Sequence, residues 1–314
     1  MAARTAVVLA ALVANGAIAS LKFVGYLLTG SPAMLSETYH SISDTGNQVF
    51  LLIGIWYGGQ DRDRTHPFGY GKAQFFYSFL VAVLLFGIAG WESLLNGYEA
   101  LVGHGGHALS GSVTVAGYTF PAVWVNYAVL LGGLAFEGWA WTKAYANMRR
   151  EIEDRGWSGL VEAFRKTADV TTLTALTEDT IALLGLTLAL VGVWLTNVTG
   201  DPVYDAAAAL LIGVLLMGFA LALAWENKRL LLGESLPASE ERELRRLVAD
   251  WDGVRGVVDF RTVFFGPDDV LVAADVAFDP DLDTAAIDDR ITAIEDAIAD
   301  ANDAVRKVYV EPEA

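Results

Sequence analysis

Apolar residues gather along this chain into six long stretches separated by short polar or glycine-containing breaks. They run from about Val7 to Leu28, Ala33 to Tyr57, Phe75 to Leu101, Ala122 to Ala144, Val170 to Leu195 and Tyr204 to Trp225. Each reaches roughly the 20 residues that a helix needs to cross a bilayer, so six transmembrane helices are predicted. The pattern changes beyond Gly233. Ser239 with Glu240 to Glu243 opens a helix through about Trp251. Two strand-like runs follow, Val254 to Phe265 and Val270 to Phe278, split by Gly266-Pro267-Asp268-Asp269. A second helix, about Thr284 to Asn302, precedes a last strand from Val305 to Val310. The order α-β-β-α-β predicts a small ferredoxin-like α+β domain with helices on one face. The expected organisation is an α-helical polytopic membrane domain over 1–232 and a cytoplasmic domain over 233–314.

Charge orients this arrangement. Basic residues stand before the first stretch (Arg4), between the second and third, between the fourth and fifth, and after the sixth (Lys228, Arg229). The other three connections carry none. Basic loops stay in the cytoplasm, so both termini are expected there, in a protein of the cell membrane. No signal peptide is expected, because the Ala-rich run from Ala6 continues too far for a short apolar leader. The net charge of −17 is concentrated in the tail, where residues 233–314 hold 21 acidic residues against 8 basic ones. Such a surface argues against nucleic acid as a partner and suits a protein working at high salt.

Within the second stretch, Tyr39-His40-Ser41-Ile42-Ser43-Asp44 sets an imidazole and a carboxylate four residues apart. On a helix they share one face. Ionisable groups at membrane depth are costly and mark sites or pathways. The fifth stretch carries the adjacent carboxylates Glu178 and Asp179 in an apolar setting. Burying both ionised and unpaired would cost several kcal/mol. A divalent cation neutralises them directly, and so does a proton, which is the physical basis of metal–proton exchange. Cysteine is absent, leaving His, Asp and Glu as ligands. His40, Asp44, Glu178 and Asp179 therefore form the candidate metal set, with zinc as the expected ion; manganese, iron and cobalt accept the same donors.

On these residues, and on the loop His66-Pro67-Phe68-Gly69-Tyr70-Gly71-Lys72, the chain resembles the cation diffusion facilitator family of metal transporters. The resemblance runs from Leu21-Lys22-Phe23 to Tyr309-Val310-Glu311-Pro312. It implies six spans, cytoplasmic termini, a metallochaperone-like tail and a homodimer. His40 and Asp44 match the second-span motif. The fifth-span motif departs from the usual His or Asp followed four residues later by Asp. With Asp44-Thr45-Gly46-Asn47-Gln48 and the run Glu226 to Glu234, it resembles the branch containing zinc transporter nine. Adjacent helical residues point about 100° apart, so Glu178 and Asp179 compete for one ligand position. Tyr70 replaces one of two histidines that bind a second metal in other members, and the tail has no histidine.

Other polar residues carry weaker expectations. Asn15, Lys22, Asn47 and Gln48 orient the site or bond to helix backbones. Glu92 and Glu137 belong either to an ion path or to structural pairs, for example with Lys22. Asp61, Asp63 and His66 read first as a solvated loop and second as a metal entry point. His104 and His107 have no specific role assigned.

The expected function is export of a divalent cation from the cytoplasm in exchange for protons, with the lipid bilayer as surroundings and no tightly bound cofactor. Two other classes use the same residues. An intramembrane metal-dependent hydrolase lacks an accompanying nucleophile or general-base motif, and a metal-responsive regulator would bind without flux.

Overall fold

The computed structural model describes residues 2–103, 112–115, 118–156, 158–160, 163, 170–267 and 269–313. His104 and His107 lie outside the described residues. The elements are α1 (Ala2–Thr29), α2 (Pro32–Gly58), α3 (Lys72–Leu84), a π-helical segment (Leu85–Gly90), α4 (Trp91–Val102), β1 (Ser112–Val115), β2 (Tyr118–Pro121), α5 (Val123–Arg155), α6 (Val170–Thr199), α7 (Val203–Leu232), α8 (Ala238–Ala249), β3 (Val254–Gly266), β4 (Asp269–Phe278), α9 (Thr284–Ala301) and β5 (Val305–Glu313). Two compact units result, Met1–Val49 with Val81–Ala222, and Phe50–Leu80 with Leu223–Ala314.

All six apolar stretches are helical. Among the described residues, three helical runs are long and apolar enough to cross a membrane, Lys72–Val102, Leu176–Thr199 and Val203–Leu232. The helix α2 falls short in apolarity for a physical reason: between Ser36 and Gln48 it concentrates hydroxyl, amide and ionisable side chains. Large apolar residues point outward along these helices, with Trp56, Trp124 and Trp225 each more than half exposed near a helix end. That is where amphipathic indoles serve a lipid-facing surface.

The turn between α1 and α2 shows how local chemistry fixes the first unit. Gly30 takes φ 67° and its N–H donates to Tyr26 O, closing α1 in the left-handed conformation that glycine accepts most readily. Ser31 Oγ accepts from the Met34 N–H and so caps α2, with Pro32 at the first helical position. Ser31 Oγ in turn donates to Asp205 Oδ1 on α7 at 3.0 Å, and Asn126 Nδ2 on α5 donates to Thr29 Oγ1 at 2.9 Å. The turn is thus held by two other helices. Small residues then let helices approach closely. A β-carbon at Gly97 would meet the Leu210 backbone at 2.5 Å, and one at Gly213 the Leu94 backbone at 2.6 Å, so α4 and α7 pack backbone to backbone. The buried core of this unit includes Met34, Leu130, Leu186, Val193, Ile212 and Leu216.

The tail has the expected α-β-β-α-β order. Its sheet runs β3-β4-β5, antiparallel between β3 and β4 and parallel between β4 and β5. Helix α9 makes the crossover that a parallel pair requires, and the Asp283 side chain caps its start by accepting from the Ala286 N–H. Along β4, Val270, Val272, Ala274, Val276 and Phe278 are buried alternately and meet Leu244, Val248, Ile294 and Ile298 of the two helices. A two-stranded antiparallel hairpin, β1 with β2, was not anticipated from the sequence.

Candidate metal site

One face of α2 gathers four polar side chains. Glu37, His40, Asp44 and Asn47 follow at intervals of three, four and three residues, which places them in one row along the helix. His40 is 4% exposed. Its Nε2 lies 3.6 Å from Asp44 Oδ2, too far for a good hydrogen bond. Both imidazole nitrogens are buried without a hydrogen-bond partner. Such groups are normally satisfied in folded proteins, and His40 departs from that rule at both ring nitrogens.

The facing helix is α6. Asn47 Nδ2 donates to Glu178 Oε1 at 3.0 Å, which brings one of the paired carboxylates to the α2 row. Beside them, Trp141 Nε1 of α5 donates to Thr180 Oγ1 at 3.0 Å and anchors α6 next to Asp179. Higher on α6, Gly185 admits Glu37: a β-carbon there would stand 2.5 Å from Glu37 Oε1. The structure therefore joins His40 with Asp44, and Asn47 with Glu178. It does not gather the four expected ligands into one coordination group. Among the described residues, no three His, Asp or Glu side chains are grouped closely enough to hold a metal ion.

Lys22 has a different partner from those considered for it. Its Nζ donates to Glu37 Oε2 at 2.8 Å, rather than to Glu92 or Glu137. Glu37 is the functional candidate that sequence reasoning passed over. Its signal was present: it precedes His40 by three residues and Asp44 by seven, the spacing of one helical face.

A second histidine–aspartate pair lies in the α2–α3 loop. Asp63 Oδ1 accepts from the Thr65 N–H, the Thr65 hydroxyl and the His66 N–H, at 2.8, 2.7 and 2.7 Å. Asp63 Oδ2 accepts from the Tyr70 hydroxyl at 2.7 Å. These bonds, led by that of Tyr70, hold the Asp63 carboxyl well below the usual carboxylate range, and the same bond pushes the Tyr70 phenol up. The His66 ring packs on Tyr70 with centroids 4.0 Å apart. Asp63 is the staple of a folded turn, and Tyr70 completes it. The turn continues into the tail through Phe68, whose ring lies 4.8 Å from that of Phe265, and through Lys72, whose Nζ sits 5.0 Å above the same Phe265 ring. A cavity of about 300 Å³ opens here, lined by Asp61, Arg62, Tyr70, Gln74, Pro267 and Asp269 among others.

The sequence matches known families and proteins over most of its length. Residues 8–232 match the cation efflux transmembrane domain, and residues 236–314 match the cytoplasmic domain of cation efflux proteins. The chain is 32% identical over 273 residues to a Homo sapiens protein named proton-coupled zinc antiporter SLC30A9, mitochondrial, a match covering 87% of this chain and 46% of that relative. It is 25% identical over 268 residues to metal tolerance protein C4 of Arabidopsis thaliana, covering 85% of this chain and 56% of the relative. It is 25% identical over 259 residues to the cation-efflux pump FieF of Klebsiella pneumoniae, covering 82% and 76%. The chain spans about half the length of the first of these relatives.

Proposed function

The chain belongs to the cation efflux family, near the branch of the zinc antiporter SLC30A9, and from that premise we propose that it is a secondary transporter that exports a divalent cation, zinc first, in exchange for protons. The observation that carries this reading is the buried His40 imidazole with both nitrogens unpartnered, one turn from Asp44. His40 and Asp44 supply nitrogen and oxygen donors from α2. Glu178 or Asp179 completes the set from α6, drawn in when the cation arrives. Zinc accepts such a mixed set in tetrahedral form.

Exchange follows from the chemistry of the donors. A carboxylate or an imidazole binds a cation or a proton at the same lone pair, so each ion displaces the other. Imidazole does this near neutral pH. Alternating access then requires only that the helices around the site rock between two openings. The six helical stretches all cross the bilayer in this reading, with both termini in the cytoplasm of a cell membrane. The tails of two copies pair to make a homodimer. An intramembrane hydrolase built on the same residues gains no support from the family match or from the relatives' names, which are those of cation transporters.

The test is flux into liposomes holding the purified chain. An imposed proton gradient is expected to drive zinc uptake, with manganese, iron and cobalt as competing arms. His40→Ala combined with Asp44→Ala is expected to abolish it. Unchanged uptake in that double variant would sink the assignment.

A further inference from the structure

We propose that Lys22 and Glu37 form a charge-balancing positioning pair for the helix that carries the cargo site, an inference that rests on the transport reading above. The pair is an ionic contact of 2.8 Å in which the side chains are 2% and 0% exposed. An ion-pair contact thus sits where charge is expensive and where aliphatic side chains would pack more favourably. Glu37 stands three residues before His40, on the same face of α2. It gives Oε2 to Lys22, while Oε1 is buried without a hydrogen-bond partner and lies against Gly185 of α6. Lys22 has no acceptor to offer a cation. Three helices therefore meet at one carboxylate: α1 through Lys22, α2 through Glu37 itself, and α6 through the space that Gly185 leaves.

The consequence is electrostatic as well as mechanical. An unpaired Glu37 would add a negative charge to the face that holds His40 and Asp44, and an unpaired Lys22 would add a positive one. Paired, they cancel, and the contact fixes the rotation of α2 against α1. The arriving cation then meets a charge set by Asp44, the α6 carboxylates and Glu137 of α5, which lies within electrostatic reach of them. A pair acting this way makes its two single substitutions push cation affinity in opposite directions. A merely structural pair does not.

The experiment is proton-driven zinc uptake by the full chain in liposomes, with KM and Vmax measured separately. Glu37→Gln, which strands Lys22, is expected to raise KM by roughly two hundredfold, the effect of one uncompensated unit charge on a divalent ion ~10 Å away in an effective dielectric near 20. Lys22→Met, which strands Glu37, is expected to lower KM below that of the wild type while lowering Vmax. The double variant, Lys22→Met with Glu37→Gln, should return KM to within about twofold of the wild type, since no stranded charge remains. Equal losses of Vmax in both single variants with KM unchanged would overturn the proposal. So would a double variant whose KM stays as high as that of Glu37→Gln, because Glu37 would then be touching the cargo. If the single variants do not fold, the double variant decides by the same criterion: wild-type KM supports the pair, raised KM overturns it. A wild-type chain that moves no divalent cation overturns the transport reading itself, and that result precedes any substitution.

Discussion

Two histidine–aspartate pairs in this molecule have nearly the same separation and opposite circumstances. His40 Nε2 lies 3.6 Å from Asp44 Oδ2, and His66 Nδ1 lies 3.7 Å from Asp63 Oδ1. The loop pair is about half exposed, and its carboxylate accepts four hydrogen bonds from its own turn. The helix pair is centred on a buried imidazole that makes none. Distance alone does not separate the proposed site from the staple; what the polar atoms already hold does. A saturated carboxylate has little left to offer a cation, whereas the lone pair of His40 is uncommitted. The same criterion sorts Glu37, which commits one oxygen to Lys22 and presents the other to α6.

The contrast breaks most easily through function. Replacing His40 and Asp44 together with alanine is expected to reduce proton-driven zinc uptake by at least about a hundredfold, the upper end of what losing a group that only orients a metal ligand costs. Replacing Asp63 and His66 together should change the same flux by less than about fivefold, the scale of an exposed ion pair. Comparable losses in both would erase the distinction.

Stability sharpens it next. Lys22→Met leaves Glu37 buried and unpaired, and unfolding of the detergent-solubilised chain should show a loss of about 3–5 kcal/mol. Lys22→Met with Glu37→Leu should recover most of that, because no charge is then stranded. Gly185→Ala sets a methyl against Glu37 Oε1 and should cost about 1–3 kcal/mol by overpacking. Gly138→Ala on α5, with open space around it, is the control and should cost nothing measurable.

The smallest effect belongs to the loop. Because the Asp63 carboxyl is held low in the folded chain, its contribution to stability is complete above the unfolded value of about 3.9. It is lost only as pH falls further, through the folded value. Hydrogen exchange should find the Thr65 and His66 amides protected from neutral pH down to about that value. Asp63→Asn should weaken that protection at pH 7. Tyr70→Phe should move the acid transition upward, since the phenol contributes most to holding Asp63 low.

Much of this was legible in the residues. The tail strands showed themselves through period-two alternation, which the buried positions of β4 repeat residue by residue. Helix ends were harder. Hydropathy falls away after Ala144, yet α5 continues to Arg155, because a helix leaving an apolar layer keeps its backbone bonds while its side chains turn polar. The π segment at Leu85–Gly90 is invisible to hydropathy, which does not distinguish i+4 from i+5 bonding. His40, Asp44 and the α6 carboxylates stood out as ionisable residues in apolar surroundings. Glu37 did not, because Ser36 and Thr38 beside it make the segment resemble a polar helix start. The partner of Lys22 was equally hidden, since the tight α1–α2 turn decides which residues meet and sequence spacing does not report it.

The two pairs differ most sharply in cation binding, expected on α2 at His40 and Asp44 and not in the loop at Asp63 and His66. Anomalous diffraction at the zinc edge from zinc-loaded crystals of the full chain tests it most directly. A peak is expected about 2.0–2.2 Å from a His40 nitrogen and an Asp44 oxygen, with Glu178 or Asp179 drawn in beside them. A peak at Asp63 and His66 alone, in a preparation that transports zinc, would contradict it.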